Sequence, residues 1–166
     1  MKGELSMDFK ELLDAFAADV GMTDPVAYED DTCHLDIDDR DYGFRYVAEL
    51  GRMVIWTAVC RRPPDSGEAL LIQLLRANFM NQGIPSGALS LSDDDVIYAH
   101  CTLQLPVHEK GEFYRLLNRF VGVVNEWRTM IELSAQAGEV LKSARKDESE
   151  ALGKMPGVGD EGVVWG

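Results

Sequence analysis

Between residues 33 and 60 the chain carries three short apolar segments that are separated only by short polar or glycine-containing breaks. In the first segment, 33–38, apolar residues occupy every second position, which is typical of a half-buried strand. The second covers 44–50. The third, 53–60, is apolar on both faces, as expected of a central strand that is covered on each side. Because short turns join them, we expect the three strands to form an antiparallel meander.

The sequence around this meander is helical at both ends and once in the middle. Apolar residues recur every three or four positions over about 8–20, which predicts a first helix. A second helix is predicted over 68–80, and it is apolar on more sides than one neighbour could cover. Two further strands, 88–91 and 96–105, precede a long helix from Phe113 to about Arg145. The resulting order, α-β-β-β-α-β-β-α, indicates an α+β fold with one twisted antiparallel sheet and helices packed on it.

The length of 166 residues and an apolar content of 46% fit a single folded domain, which we assign to residues 1–145. Residues 146–166 are polar and rich in glycine, so we expect a flexible C-terminal tail. The apolar end of that tail, Val163-Val164-Trp165, fits either a frayed terminus or an apolar plug that occupies a groove.

The charge of the chain excludes several classes of partner. Lys and Arg number 16 and Asp and Glu number 29, which gives a net charge of −13. Nucleic acids and anionic membranes need basic patches, so we expect neither as a partner. The sequence has no apolar run long enough for a membrane span and no signal-peptide pattern. Three cysteines without a CxxC spacing (Cys33, Cys60 and Cys101) favour a reducing cytoplasm and buried thiols.

Residues that could carry chemistry are few. His34 and His100 alternate with apolar neighbours, so we expect them on the polar face of strands. The acidic runs at 36–41 and 93–95 do not match the ligand spacing of a calcium loop and are better interpreted as turns. We therefore expect no catalytic residues, no metal and no cofactor, and the chain is not expected to be an enzyme.

Four segments carry a family resemblance. They are LLDAFAADVGM near the N-terminus, CHLDID in the first strand, LLIQLLRANF in the second helix, and LSLSDDDVIYAHCTLQL before the last helix. With the element order and the acidic charge, they make the chain resemble the class I type III secretion chaperones, the Tir chaperone family, over about residues 8–145. The extended last helix and the tail after Arg145 depart from that family.

The resemblance implies a bacterial, cytoplasmic homodimer that binds the N-terminal chaperone-binding segment of a secreted effector. Such a chaperone keeps the segment extended, soluble and competent for secretion, without ATP. By position, the effector-binding groove would use helix one and the first strands: Leu13, Phe16, Leu35, Ile37, Phe44 and Val47. The dimer interface would use the second helix and the strand after it: Leu71, Leu74, Leu75, Phe79, Leu89 and Leu91.

Two alternatives stay open at this point. A regulatory protein with the same fold could titrate a transcriptional or secretion-control partner by binding it. A small-molecule or metal-binding domain could instead use His34, His100 and the Asp clusters.

Overall fold

The computed structural model describes the backbone of residues 7–64 and 66–153, and the side chains of 7–64, 66–140, 142 and 143. Within these residues the fold consists of three α-helices and six strands, with two short 3-10 turns. The helices are α1 (Phe9–Asp19), α2 (Gly67–Asn78) and α3 (Lys110–Gly153). The strands are β1 (Tyr28–Glu29), β2 (Thr32–Ile37), β3 (Arg40–Val47), β4 (Arg52–Arg61), β5 (Gly87–Leu91) and β6 (Val96–Gln104).

The strands form one antiparallel sheet in the order β1-β2-β3-β4-β6-β5. The predicted α+β fold and the meander of β2, β3 and β4 are confirmed. The two-residue strand β1 was not predicted, and residues 48–50 form a 3-10 turn rather than the end of a strand.

The strand predicted over 44–50 begins earlier, at Arg40. The turn before it contains only Asp38 and Asp39, which both have positive φ, as a type I′ hairpin turn requires. Asp tolerates this conformation because its short side chain can bond to nearby backbone. Gly43, expected in the turn, lies within β3, where a Cβ would stand 2.2 Å from the ring of Trp56.

The hydrophobic core lies on the face of the sheet that we call the inner face. Phe44 on β3, Ile55 on β4 and Cys101 on β6 are aligned across it by the strand register and are fully buried. Helices α1 and α3 contribute the other half of this core through Leu12, Leu13, Phe113, Leu117, Phe120 and Val124. The stripes predicted for the first and last helices are therefore the faces that pack on the sheet.

The opposite, outer face of the sheet is less covered than the sequence suggested. β4 is central, between β3 and β6, as predicted. Its outer-face side chains Val54 and Trp56 are nevertheless only half-buried, and so is Tyr98 on β6. α1 and α3 pack on the inner face and α2 lies beside the edge strand β5, while Arg128 of α3 lines a depression together with Trp56 and Tyr98.

Two boundaries lie near the chain ends. α1 begins at a capping box in which Asp8 and Glu11 bond to each other's backbone N–H groups. α3 continues past the Arg145 limit to Gly153. The predicted division into 1–145 and 146–166 stays a prediction, and Val163-Val164-Trp165 lies outside the described residues.

In the range that the structure covers, no helix combines the length and apolar character that a membrane span requires.

Candidate functional site

The predicted effector-binding residues do not form one exposed groove in this structure. Leu13, Leu35 and Phe44 belong to the buried core. Phe16 and Ile37 are partly buried and pack against that core, so each retains some accessible surface. Val47 is half-buried and lies on the outer face, away from the others. A binding surface in this region must therefore use the partly exposed members of the set, and the assignment stays a prediction.

The predicted dimer residues divide into buried and exposed ones. Leu74 and Leu89 are buried in the core and Leu71 is partly buried. Leu75 and Phe79 are 71% and 65% exposed, and Leu91 is also exposed. Ile72 and Met80 are exposed beside them, so α2 and the turn after it present an apolar surface to solvent. We call Ile72, Leu75, Phe79 and Met80 the α2 stripe.

One edge of the sheet is only partly paired. β1 covers Thr32 and Cys33 of β2, and among the described strands none pairs with residues 34–37 on that side. The ladder between β2 and β3 begins with a hydrogen bond from Tyr46 N–H to Asp31 O. In an antiparallel ladder the main-chain groups of successive residues point alternately toward the partner strand and away from it. By this alternation the main-chain groups of His34 and Asp36 face away from β3. We call this stretch, residues 34–37, the open edge.

The outer face beside the open edge is concave on both sides of Trp56. A depression of about 940 Å³ is lined by Trp56, Val54, Val47 and Arg45, with the acidic residues Glu29, Asp30, Asp31 and Glu49 around it. A second depression, of about 440 Å³, is lined by Trp56, His34, Arg40, Tyr98 and Arg128 among others. The His34 ring meets the Trp56 ring edge-on at 5.6 Å between centroids, so the open edge and this surface are continuous.

The polar groups of this surface are partly paired. His34 Nδ1 lies 2.9 Å from an Asp41 carboxylate oxygen, with both side chains largely exposed. Nη1 of Arg40 is buried in the second depression and has no hydrogen-bond acceptor among the residues whose side chains are described. A buried donor without a partner costs free energy in the folded state.

Several of the acidic residues considered for metal chemistry lie in turns. Asp38, Asp39 and Asp95 have positive φ, as turn residues do. Within the described ranges no three His, Cys, Asp or Glu side chains converge on a possible metal position. Cys33 and Cys101 are buried free thiols whose pKa values burial raises to about 12, which makes them unreactive, and Cys60 is partly buried.

Trp56 is the residue that the sequence reasoning missed. A signal for it was present, because β4 is apolar at successive positions and its outer-face residues need a cover. The sequence predicted a central strand that is covered on each side, whereas Val54 and Trp56 are only half-buried in the described chain.

The comparison with protein families gives one result. Residues 11–128 match the model of the Tir chaperone protein (CesT) family. No curated protein sequence matches the chain.

Several solved structures share the fold at low sequence identity. A chain of the HopA1–SchA chaperone–effector complex aligns with a TM-score of 0.57 and 19% identity, over 71% of this chain and 91% of that chain. A chain of the ExsC–ExsE complex gives 0.65 and 16%, over 75% and 97%. The Yersinia pestis type III secretion chaperone SycH, in complex with a fragment of YscM2, gives 0.57 and 17%, over 70% and 97%.

Proposed function

The chain belongs to the Tir chaperone protein (CesT) family, and we propose that it is an ATP-independent chaperone for a type III secreted effector. It binds the N-terminal chaperone-binding segment of the effector and keeps that segment extended, soluble and competent for secretion. The observation that carries the proposal is the family match across residues 11–128, which includes most of α1, the whole sheet, α2 and most of the core-forming part of α3.

The open edge and the Trp56 surface supply a physical means of holding an extended segment. A peptide strand can pair with the main chain of His34 and Asp36 and so extend the sheet beyond β2. Side chains of such a strand alternate between the two faces, so every second one would lie on the outer-face side, near Trp56. Main-chain pairing tolerates varied sequences, and it needs no nucleotide hydrolysis.

The acidic residues around the larger depression favour a client of a particular charge. Glu29, Asp30, Asp31 and Glu49 surround the larger depression, and Arg45 is its basic lining residue. This arrangement favours a client segment that combines apolar side chains with Lys or Arg over an acidic one.

We also assign the chain to a bacterial cytoplasm and to a homodimer formed through the α2 stripe and Leu91. The support for the dimer is the exposure of these large apolar side chains on α2, on the turn after it and on β5, since exposed apolar patches are characteristic of contact sites. The function needs no catalytic group in this scheme.

The test is capture of the client by the tagged full-length chain in its native host under secretion-inducing conditions, with mass spectrometry of the bound proteins. We expect one large secreted protein, held through its N-terminal region in a protease-protected form. His34→Pro removes the outward N–H and should abolish retention, because proline is tolerated on an edge strand but cannot pair there.

His34→Ala is the matched control, since it keeps the N–H and loses only the ring. Retention by His34→Ala and loss by His34→Pro together support strand addition at the open edge. Equal retention by both variants would exclude the open edge as the binding site. A small regulatory protein in place of a secreted one would overturn the chaperone function in favour of partner titration.

A further inference from the structure

One arginine of the sheet has no partner for its charged end. Nη1 of Arg40 is the only buried side-chain nitrogen or oxygen without a hydrogen-bond partner among the residues whose side chains are described. No described carboxylate lies within ion-pair distance of it, not even those of Asp38 and Asp39 in the turn before it. Arg62, in contrast, forms a 2.9 Å ion pair with Asp95. Because folded proteins satisfy nearly all of their buried polar groups, this exception requires a physical reason.

Arg40 lies beside the open edge, since it pairs with Ile37 of β2 at the start of β3. It lines the depression of about 440 Å³ together with His34, Trp56 and Tyr98. We call this depression the Arg40 depression. His34 is the first residue of the open edge, so a client strand that pairs there would run alongside the Arg40 depression.

The Arg40 depression differs in charge from the larger depression on the other side of Trp56. The larger one has four acidic residues around it and Arg45 as its basic lining residue. The Arg40 depression is lined by two arginines, Arg40 and Arg128, and by one acidic residue, Asp41. The two depressions therefore suit client side chains of opposite charge.

The other charges of the Arg40 depression are already paired. The carboxylate of Asp41 lies 2.9 Å from Nδ1 of His34. Arg128 donates one of its five N–H groups to Glu132 at 2.9 Å, which leaves its other donors for a further acceptor. Arg40 therefore remains the cation for which the described chain supplies no anion.

A carboxylate is the ligand that this arrangement fits best. The guanidinium group presents its N–H donors in a planar fork that matches the two oxygens of a carboxylate. Hydrogen bonds between two charged groups are also stronger than those to a neutral carbonyl. Every second side chain of an added strand lies on the outer-face side, so a client strand has a position from which an acidic side chain would enter the depression.

We propose that the Arg40 depression binds the carboxylate of an Asp or Glu side chain of the client segment, and that Arg40 is a specificity-determining residue. This inference rests on the proposed function and adds a requirement to it. Besides the apolar and basic side chains that suit the larger depression, the client carries an acidic one for Arg40. A segment without it leaves Arg40 unpaired and binds more weakly.

The test compares Arg40→Met with Arg45→Met in the tagged full-length chain. Each variant removes one arginine from the lining of one depression and keeps an unbranched apolar side chain. The probe is the N-terminal segment of the client that the wild type captures from its native host. We expect Arg40→Met to raise the dissociation constant of this segment at least about tenfold, whereas Arg45→Met should not raise it. The urea midpoint of Arg40→Met should equal or exceed that of the wild type, because a buried donor without a partner is removed.

A double-mutant cycle then separates a direct contact from an effect on folding. Each Asp and Glu of the captured segment is changed in turn to Asn or Gln. One of these changes should weaken binding to the wild type about tenfold and have no further effect on binding to Arg40→Met.

Three results would overturn the proposal. Equal binding of the segment by the wild type and Arg40→Met would show that the client does not use Arg40, and it would leave the chaperone function intact. Absence of coupling between Arg40 and every acidic residue of the segment would make Arg40 a structural residue, whatever its effect on the urea midpoint. Failure of the wild type to capture any secreted protein would remove the chaperone function and this inference with it.

Discussion

The side-chain amide of Asn78, the last residue of α2, forms two hydrogen bonds with the main chain of Leu89 in the edge strand β5. Asn78 Nδ2 donates to Leu89 O, and Leu89 N–H donates to Asn78 Oδ1, each at 2.8 Å. The amide thereby occupies the position that a neighbouring strand would take. It closes the β5 edge at its middle residue, whereas the other edge of the sheet is open at residues 34–37.

Because of this difference, another strand can add at the β2 edge of the sheet, whereas Asn78 obstructs addition at the β5 edge. Unpaired edges attract other strands, and proteins usually block those that have no partner. Here α2 blocks the edge beside the proposed dimer surface and leaves available the edge beside Trp56. In the proposed function, an extended client and a second copy would bind at opposite edges of the sheet.

We predict that Asn78→Ala destabilises the chain by about 1–3 kcal/mol, because it leaves a partly buried N–H and C=O of Leu89 without partners. Urea unfolding measures the free energy. Asn118→Ala, at an exposed position of α3, is the control and should change the free energy of unfolding by less than about 0.5 kcal/mol. Equal effects of the two substitutions would mean that water replaces the amide at Leu89 without cost.

Leu74 and Leu75 should respond in opposite ways to the same substitution. Leu74 is buried against β5 and the core, so Leu74→Asp should cost at least about 3 kcal/mol and unfold the domain. Leu75 points to solvent, so Leu75→Asp should yield a folded monomer with a near-native urea midpoint. Circular dichroism and sedimentation together separate the two results. A folded Leu75→Asp chain that remains dimeric would remove α2 from the interface.

Leu74 and Leu75 are adjacent in the sequence and opposite in burial, which shows that prediction from sequence depends on a regular period. The alternation of 33–38 and the helical repeat of α1 and α3 predicted the first strand of the meander and the core faces of the helices, because these periods directly determine which side chains face inward. The two-residue strand β1 was missed because two residues cannot display a period. β3 was started too late because Gly43 resembles a turn residue, whereas the ring of Trp56 is what requires glycine there.

The candidate sites were harder to predict for a related reason. A sequence identifies apolar residues, but it does not separate those that the chain covers itself from those left for a partner. Leu13, Leu35 and Phe44 were assigned to a groove and lie in the core, while Leu75 and Phe79, with the same composition around them, are exposed. Only the folded structure makes that distinction, since α1 and α3 cover the inner face of the sheet while part of α2 is left exposed.

Gly43 and Trp56 should show strong coupling in a double-mutant cycle. A Cβ on residue 43 would lie 2.2 Å from two atoms of the indole ring, so Gly43→Ala should displace Trp56 and cost about 1–3 kcal/mol. In a Trp56→Ala background the same substitution should be neutral or slightly stabilising, since glycine is unfavourable inside a strand. Urea unfolding of the four proteins gives the coupling energy, and a value near zero would show that the indole moves aside freely.

Because Trp56 also lines both depressions of the proposed client surface, Gly43→Ala should weaken client retention more than its effect on stability explains. Measuring retention well below the unfolding temperature separates the two effects. Retention equal to that of the wild type, together with a displaced Trp56, would place the client elsewhere on the sheet.

The contact between the end of α1 and the start of α3 should make stability depend on pH in the acid range. Lys110 Nζ and Tyr114 OH donate to the Asp19 carboxylate, and these hydrogen bonds hold the pKa of Asp19 below its ordinary value. A carboxyl with a lower pKa in the folded state contributes its full stabilisation above the unfolded pKa and loses it as the pH falls through the folded value. Urea unfolding from neutral pH down to about pH 2 should therefore show a steeper loss of stability for the wild type than for Asp19→Asn. Asp24→Asn, at an exposed site between α1 and β1, should retain the wild-type slope, and the same slope in Asp19→Asn would mean that solvent screens the contact completely.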